Sequence, residues 1–491
     1  MFLCWTEKLM EGMIDVVAFN GRGKILPVVI LIAVICAAAL IYSKPKATVG
    51  KSKGQIVIKI WDHLIAQQKV YDEQFEKFMK ENPDIKIEHS VFNVGQYANV
   101  VQLAFKGNTA PDLLYLPVSV YQVADEWLRP LTPYIDKKWL QQFPPNGCVT
   151  VNGEVYSFPI ASRSTTLVQP LFWNRRLFAK AGLDSPPATW DEFREYAKKI
   201  TAVGNGKFYG FILGGQNDFI WERNVGFLAA LAGAPGRDTG MDYKKGEYNY
   251  LQPGYEEAFK LLYALNEDKS IFPGIMSLND EQARAYFATD RAAMIIGGTW
   301  NISGWKKYPN ADYGVAPLPV PNQGALSKPV YQATAGGSWF LSNQCKNPDA
   351  AWRILKFISS IEFGEAIVEG DLGMSIHPEA NKLLKNPRLK EVIDVINEQM
   401  LIGPAPELRN PETVYLDEYR AKVPSIKYSF AKAIQDSWTG GVPVTETFKK
   451  ATEEANRVFR AAIELARKNG RKISLADYRF PDFNPLEDYY K

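Results

Sequence analysis

An apolar run at Ile25–Tyr42 contains no charged residue. Its 18 residues come close to the roughly 20 that a helix needs to cross a bilayer. Ala37–Ala39 supplies the small residues that a signal peptidase prefers, but the run is long for a signal peptide, whose apolar part has roughly 7–15 residues. Cys36 has no small residue directly before it, which argues against a lipidation site. We therefore predict a membrane anchor at 25–43, with cleavage as a signal peptide as the alternative.

A short segment at 1–24 precedes the predicted anchor and a polar stalk at 44–54 follows it. Beyond the stalk, apolar runs rich in β-branched residues alternate with segments of helical periodicity. Ile56–Trp61 has the pattern of a strand, Gln68–Glu81 that of a helix, and a second strand begins at Ile85. A strand, a helix and a strand in this order are typical of a parallel sheet, so the fold class is predicted to be α/β.

Further along the chain, capping residues predict where helices begin and end. Thr189 and Glu192 have the spacing of a capping box, and Asn347 followed by Pro348 is typical of a helix start. The last helical pattern ends near Lys468. In the remaining tail, 471–491, the segment Tyr478–Lys491 is rich in proline and aromatic residues, and we expect it to lie extended on the surface.

Length and charge restrict the function. A chain of 491 residues is too long for one core, so two or more lobes are expected. Lys and Arg number 57 against 54 Asp and Glu, which leaves a net charge of +3 without a basic block. This composition disfavours a nucleic-acid partner.

Cysteine and histidine are scarce. Cys148 and Cys345 lie far apart in the soluble part, where they form either a disulfide or, as we prefer, two buried free thiols. The three histidines are not spaced as metal ligands, and the chain contains no HExxH, GxSxG or phosphate-loop motif. We therefore expect no metal and no organic cofactor.

Five sequence blocks occur in the order and spacing of a known family, over some 400 residues. They are Ala110–Leu114, Asn152–Pro159, Leu171–Thr201, Tyr286–Pro319 and Gly336–Trp352. In these blocks the chain resembles family 1 extracellular solute-binding proteins, the group that includes maltose-binding protein. The chain departs from the usual pattern at Trp173, where tyrosine is common, and at Arg175, where lysine is common.

The resemblance implies a two-lobed periplasmic-binding-protein fold of type II, with crossing hinge segments and a ligand cleft between the lobes. The implied parts are lobe 1 at 55–160 and 331–373, lobe 2 at 164–327 and 378–470, and crossings near Ile160–Arg163, Lys328–Tyr331 and Gly373–Pro378. Binding at the carboxyl ends of the strands agrees with the rule for open α/β sheets.

The implied function is capture of a sugar or oligosaccharide and its delivery to the permease subunits of an ABC transporter, without chemistry. Lysines that follow the apolar run would favour a cytoplasmic main domain. The family works outside the cytoplasm, and we give the resemblance more weight. A secreted glycoside-acting enzyme, with Asp62 and Asp218 as paired carboxylates, and a binder of a non-sugar solute are the alternatives.

A sugar offers a flat face that stacks on aromatic rings and hydroxyls that need donors and acceptors. Aromatic and polar residues near predicted strand ends, or at positions that the family uses, are therefore the expected ligand contacts. They are Trp61, Asp62, Ser119, Tyr121, Asp218, Phe219, Trp221, Trp300, Trp339 and Tyr428. Trp300, which aligns with the family's recurrent sugar-stacking tryptophan, is the first choice among them.

Overall fold

The computed structural model describes most of the chain beyond the predicted stalk. The described residues are 54–116, 127–143, 148–151, 153–161, 169–321, 330–332, 338–399 and 401–489. The predicted anchor at 25–43 and the segment before it lie outside this part, as does nearly all of the stalk. No helix among the described residues combines the length and the apolar character that crossing a membrane requires.

The strands are short, and most of them belong to two sheets. In chain order they are β1 (Ile56–Asp62), β2 (Ile85–Val91), β3 (Leu113–Leu116), β4 (Leu128–Arg129), β5 (Val149–Val151), β6 (Glu154–Ser157), β7 (Leu171–Asn174), β8 (Tyr209–Phe211), β9 (Met241–Asp242), β10 (Glu247–Tyr248), β11 (Ala292–Ile296), β12 (Tyr313–Ala316), β13 (Val330–Gln332), β14 (Ser338–Ser342) and β15 (Leu401–Gly403).

The helices range from single turns to one of 25 residues. They are α1 (Gln68–Glu81), α2 (Val94–Lys106), α3 (Lys137–Leu140), α4 (Arg175–Lys180), α5 (Trp190–Gly204), α6 (Asp218–Leu231), α7 (Pro253–Glu267), α8 (Asp280–Ala288), α9 (Trp300–Trp305), α10 (Pro348–Ile358), α11 (Ile361–Glu369), α12 (Pro378–Asn381), α13 (Pro387–Gln399), α14 (Pro406–Arg409), α15 (Leu416–Lys422), α16 (Phe430–Gly440) and α17 (Val444–Lys468).

The first sheet has the order β2-β1-β3-β14-β4, with β1 parallel to both of its neighbours and β14 antiparallel to β3. Ile58 and Ile60 of β1 are completely buried under α1, α10 and α11. This sheet with α1, α2, α10 and α11 is called lobe 1 below. The βαβ unit predicted from Ile56 to Ile85 is confirmed.

The second sheet has the order β12-β7-β11-β8. All five residues of β11 are buried, as expected for a central strand covered by helices on both faces. The predicted capping box of α5 is present, with Thr189 and Glu192 each bonding the other's backbone. This sheet, with α4 to α9, α13, α16 and α17, is called lobe 2 below.

Two connections between the lobes run side by side. Ala161 forms an antiparallel bridge with Ser375, and the backbone N–H of Ile376 donates to the carbonyl of Ile160 over 3.4 Å. A third segment, β13, pairs in parallel with β15.

The prediction of an extended surface tail is wrong. Phe480 and Phe483 are buried in a third core that also contains Val151 of β5 and residues of α15 and α17. The Arg409 guanidinium lies 3.9 Å from the centre of the Phe480 ring. The backbone N–H of Tyr489 donates to the carbonyl of Ile402 over 2.8 Å. Burial of aromatic side chains stabilises the fold because it removes apolar surface from water, and α17 provides the apolar surface on which they pack.

Cys148 and Cys345 are both free, as preferred from the sequence, but only Cys345 is buried, whereas Cys148 is half-buried. Burial raises the pKa of the Cys148 thiol to about 11 and that of Cys345 to about 12, the latter with help from Asp112. Both thiols are therefore protonated and unreactive near neutral pH.

Candidate functional site

The ends of β1 and β2 form the edge of lobe 1 that carries the predicted contact Trp61. The Trp61 ring is half-buried, and its centre lies 4.9 Å from that of Phe92. The Tyr97 hydroxyl donates to the Trp61 carbonyl over 2.8 Å, which ties the start of α2 to the end of β1. Parallel strands bring their carboxyl ends to one edge, which explains why residues 36 positions apart meet here.

Asp62 has a different position from the one expected of a ligand contact. Its side chain is completely buried. One carboxylate oxygen accepts the backbone N–H of Leu64 over 2.8 Å, and the other lies 2.8 Å from Nε2 of His89. Nδ1 of His89 in turn lies 2.6 Å from a carboxylate oxygen of Asp72. Asp62 therefore holds the loop after β1 and has no oxygen directed at a ligand in this conformation.

His89 is held between two carboxylates. Burial disfavours the charged imidazolium, but the hydrogen bonds and charges of Asp62 and then of Asp72 raise the pKa of His89 above its usual value of 6.5. Because both partners accept, both ring nitrogens donate and the ring carries a positive charge. A charged row of three side chains thus supports the edge of lobe 1.

His63 lies directly after this row and was not among the predicted contacts. Its ring centre is 5.1 Å from that of Tyr97 and 5.6 Å from that of Tyr115. Nδ1 is buried and has no hydrogen-bond partner among the described residues. Burial lowers the pKa of His63, the charge of Asp62 opposes this, and the charge of Arg223 adds to it. Because Arg223 belongs to lobe 2, charges of both lobes act on the pKa of His63.

The loop before α6 is the facing edge of lobe 2. Asn217 is buried, and its side-chain oxygen accepts the backbone N–H of Asp280 over 2.9 Å. A Cβ atom added to Gly95 of α2 would lie only 2.7 Å from the Asn217 amide nitrogen. A larger residue at position 95 would displace the Asn217 amide from this approach, in which lobe 1 and lobe 2 are in contact. Sequence reasoning missed Asn217; the Gly214–Asn217 turn before a helix was the available signal.

The three candidates in α6 point in different directions. Asp218 is exposed and accepts a hydrogen bond from the Gln435 amide over 2.8 Å. Phe219 is half-buried beneath the Arg223 guanidinium, which lies 5.0 Å from the ring centre. Trp221 is completely buried, and its indole N–H donates to the carbonyl of Gly215 over 2.8 Å. The structure therefore places Trp221 in the core of lobe 2, not at the edge.

Trp300 is the first residue of α9, four positions after β11 ends, and its side chain is half-buried. A Cβ atom on Gly298 would lie 2.3 Å from the indole ring. The indole itself therefore occupies the space that a side chain at position 298 would need. The indole is held by a buried strand end and keeps part of its surface accessible.

The remaining candidates do not join this group. Trp339 is completely buried in the core of lobe 1, with its ring centre 5.5 Å from that of Tyr115. The Tyr428 hydroxyl donates to Asp436 over 2.8 Å, and burial together with Asp436 raises the Tyr428 pKa to about 12. Ser119 and Tyr121 lie outside the described residues. Trp339 is thus a packing residue in this conformation, because β14 is covered on both faces.

Trp61, His63, Asn217, Phe219 and Trp300 are called the cleft edge below. They are aromatic or neutral polar residues that lie at the end of β1, in the loop after it, or at the start of the helices that follow β8 and β11. The described residues contain no group of three His, Cys, Asp or Glu side chains that could hold a metal ion. The cleft edge can therefore stack on a flat apolar face and exchange neutral hydrogen bonds.

Comparisons with known proteins agree on one family. The family model described as bacterial extracellular solute-binding protein matches residues 62–363, more than half of the 491 residues. The maltotriose-binding protein of Pyrococcus abyssi is 26% identical over 354 residues, which cover 69% of each chain. The sn-glycerol-3-phosphate-binding periplasmic protein of Escherichia coli is 24% identical over 439 residues, or 84% of this chain and 95% of that protein.

The fold comparison points the same way. The maltose/maltodextrin-binding domain of Bdellovibrio bacteriovorus, solved with bound maltotriose, superposes with a TM-score of 0.65 at 21% identity. The match covers 82% of this chain and all of that domain. The described chain therefore has the two-lobed fold of that domain, and the protein belongs to the bacterial extracellular solute-binding protein family.

Proposed function

We propose that this protein captures a sugar or oligosaccharide outside the cytoplasm and delivers it to the permease subunits of an ABC transporter. The observation that carries the proposal is the half-buried Trp300 ring, which β11 positions at the cleft edge. A partly accessible indole beside neutral polar groups matches the alternation of flat faces and hydroxyls on a sugar. The maltotriose-binding relative supports the same ligand class.

Lobe closure is the proposed means of capture. Asn217 and Gly95 bring the lobes together at the cleft edge. On another side, Lys306 of lobe 2 lies 2.8 Å from Asp371 and donates to the carbonyl of Gly370 over 2.9 Å. A ligand that contacts both lobes favours the closed arrangement without any chemical step.

The lobe boundaries and hinges are part of the proposal. The sheet membership of the strands supports lobe 1 at 55–160 and 331–373, and lobe 2 at 164–327 and 378–470. The bridge between Ala161 and Ser375 supports two of the crossing segments.

We propose binding without catalysis. A glycoside hydrolase needs two carboxyl groups that both face the substrate. Of the pair considered from the sequence, Asp62 is buried with both oxygens engaged, so it does not provide the second group. Recovery of the ligand unaltered after incubation would support binding, whereas turnover would support an enzyme.

We further propose that the apolar run at 25–43 anchors the protein to the membrane and that 44–54 spaces the lobes from it. N-terminal sequencing of the mature protein tests this. A mature chain that begins after Ala39 and remains in solution would contradict the anchor.

A thermal-shift screen over mono- and oligosaccharides tests the ligand class, because a saturating ligand that binds only the folded state raises the melting temperature. The screen should include sn-glycerol 3-phosphate, the ligand named for the E. coli relative. We expect a shift with a neutral saccharide. A shift with the phosphate ester alone would contradict the sugar proposal and favour a binder of a non-sugar solute.

A further inference from the structure

Lys306 and Asp371 form an ion pair between the lobes. Lys306 directly follows α9 of lobe 2, and Asp371 lies two residues after the end of α11 of lobe 1. The Lys306 ammonium is 2.8 Å from a carboxylate oxygen of Asp371 and donates to the carbonyl of Gly370 over 2.9 Å. The last carbonyl groups of a helix carry a partial negative charge, so the end of α11 favours a cation. The ammonium therefore has two acceptors in lobe 1.

The ion pair lies where the lobes are loosely packed against each other. A cavity of about 600 Å³ separates α1 and α11 of lobe 1 from α8 and α9 of lobe 2, and Lys306 and Gly370 belong to its wall. Beside it, a Cβ atom on Gly304 would lie 3.6 Å from the Cβ of Ala66, which is ordinary van der Waals contact. Atoms that face a cavity lack packing partners on that side. The ion pair therefore joins the lobes at a place where apolar packing contributes little.

The backbone of Asp371 is unusual for a residue with a side chain. Its φ is +61°, in the left-handed region that favours glycine. The backbone N–H of Leu372 donates to the carbonyl of Ile367 over 2.9 Å. The backbone N–H of Asp371 donates to the carbonyl of Val368 over 3.1 Å. This is the pattern of a Schellman motif, in which glycine usually occupies the position of Asp371. The chain thus has a strained aspartate where a glycine would complete the same turn.

Backbone strain that the fold retains at a contact between moving parts indicates a role for the side chain. We propose that the Lys306–Asp371 pair, called the latch below, favours the arrangement of the lobes in which Asn217 meets Gly95, and so raises affinity for the ligand without touching it. The two residues are positioning residues, since apparent affinity rises with the population of the binding arrangement. This inference rests on the proposed capture by lobe closure.

The size of the effect follows from exposure. The Lys306 side chain is half-exposed, whereas that of Asp371 is only 11% exposed. A partly exposed ion pair changes an equilibrium constant by up to about fivefold. Loss of the latch should therefore weaken binding by about three- to fivefold. Salt screens such a pair, so the wild-type affinity for a neutral ligand should also fall as NaCl is raised.

Asp371→Gly separates the latch from a structural role, because it removes the carboxylate and the backbone strain together. It should not lower the melting temperature without ligand, since glycine suits the Schellman motif. It should nevertheless weaken the binding of maltotriose, the ligand named for the Pyrococcus abyssi relative, by about three- to fivefold in titration calorimetry. Asp371→Asn keeps the shape and tolerates the left-handed backbone, and it should show the same loss of affinity and a weaker dependence on NaCl.

Lys307→Gln is the matched control for Lys306→Gln. Lys307 is the neighbouring exposed lysine, and its ammonium lies 5.4 Å from the centre of the Tyr308 ring. Both variants remove one positive charge from the end of α9. Only Lys306→Gln should weaken binding, whereas Lys306→Arg, which retains a cation, should keep most of the wild-type affinity.

Hydrogen exchange of the full-length protein without ligand tests the latch independently of any solute. Loss of the latch should increase exchange in the start of α2 and in the loop before α6, where Gly95 and Asn217 meet. Asp371→Asn and Lys306→Gln should show this increase, and Lys307→Gln should not. The central strands β1 and β11 should exchange as in the wild type, because neither lobe is unfolded.

Three results would overturn the inference. They are wild-type affinity in both Asp371→Gly and Asp371→Asn, an equal loss in Lys307→Gln, and tighter binding once the latch is removed. If no solute of the thermal-shift screen binds, the proposed function fails. The exchange measurement then still decides about the latch, because unchanged exchange between the lobes in Asp371→Asn would refute it.

Discussion

The two edges that meet between the lobes are built by different interactions. In lobe 1 the end of β1 is held by a row of charges, the buried Asp62 and His89 and the half-exposed Asp72, linked by hydrogen bonds of 2.6 and 2.8 Å. Lobe 2 holds its edge with packed rings and glycines: Trp221 lies against Trp438, with ring centres 4.8 Å apart. The strength of the charged row in lobe 1 depends on protonation, whereas the ring packing in lobe 2 depends on side-chain shape. The stability of lobe 1 should therefore respond to pH, and that of lobe 2 to side-chain volume.

The largest effect is expected for Trp221→Ala. Removing a completely buried indole leaves a cavity in lobe 2 and should lower the free energy of unfolding by about 3–5 kcal/mol. Denaturant unfolding measures the loss, and hydrogen exchange of β8 and α6 locates it in lobe 2. A loss that appears mainly in β1 and β2 would contradict the separate organisation of the two edges.

Asp62→Ala should be nearly as damaging, and the damage should lie in lobe 1. It leaves His89 buried beside a single carboxylate, which costs about 3 kcal/mol. Hydrogen exchange should increase in β1 and β2. Asp72→Ala is the matched control, because Asp72 bonds the same ring from a half-exposed position and should cost less. If both variants lost the same free energy of unfolding, burial of the carboxylate would not determine how strongly its pair with His89 stabilises the fold.

Trp300→Ala should affect binding more than stability. Loss of stacking and of ring burial should weaken affinity by about 1–3 kcal/mol, or roughly ten- to a hundredfold. Titration of the purified variant with the ligand from the screen measures this, with Trp221→Ala as the comparison. A lower melting temperature with normal affinity would make Trp300 a packing residue.

The smallest effect is the dependence of stability on pH. The pKa of His89 is raised in the folded state, so its stabilising contribution is complete below the ordinary value of 6.5. That contribution is lost as the pH rises through the raised pKa. The free-energy difference between the wild type and His89→Gln should therefore shrink on the alkaline side. Both proteins contain His63, so its contribution cancels when the unfolding free energy of the variant is subtracted from that of the wild type. If this free-energy difference grew with pH, His89 would be neutral in the folded protein.

The sequence predicted the order of elements well, because strand and helix patterns are local. The capping box at Thr189 and the βαβ unit beginning at Ile56 depend on neighbouring residues alone. The sequence placed Trp300 just after a strand by the same local logic, since Gly297, Gly298 and Thr299 separate it from an apolar run.

The sequence could not separate the accessible tryptophan from the buried ones. Trp221 and Trp300 both follow glycine-containing turns, but α6 is covered nearly all round by other helices, so its fourth residue is buried. Trp339 lies on a strand covered on both faces. Which face of an element is covered depends on segments far along the chain, and such contacts leave no local pattern. The burial of Asp62 could not be predicted for the same reason, because its partner His89 lies 27 residues away.

The third core bears on the order of synthesis and folding. It joins Val151 to Phe483, so more than 300 residues separate parts of one apolar cluster. Contacts between such distant residues form slowly, and this cluster cannot form while the last segment is still being synthesised. Until then the apolar surface of α17 lacks its cover. A nascent chain therefore leaves this cluster incomplete until Phe483 has been made.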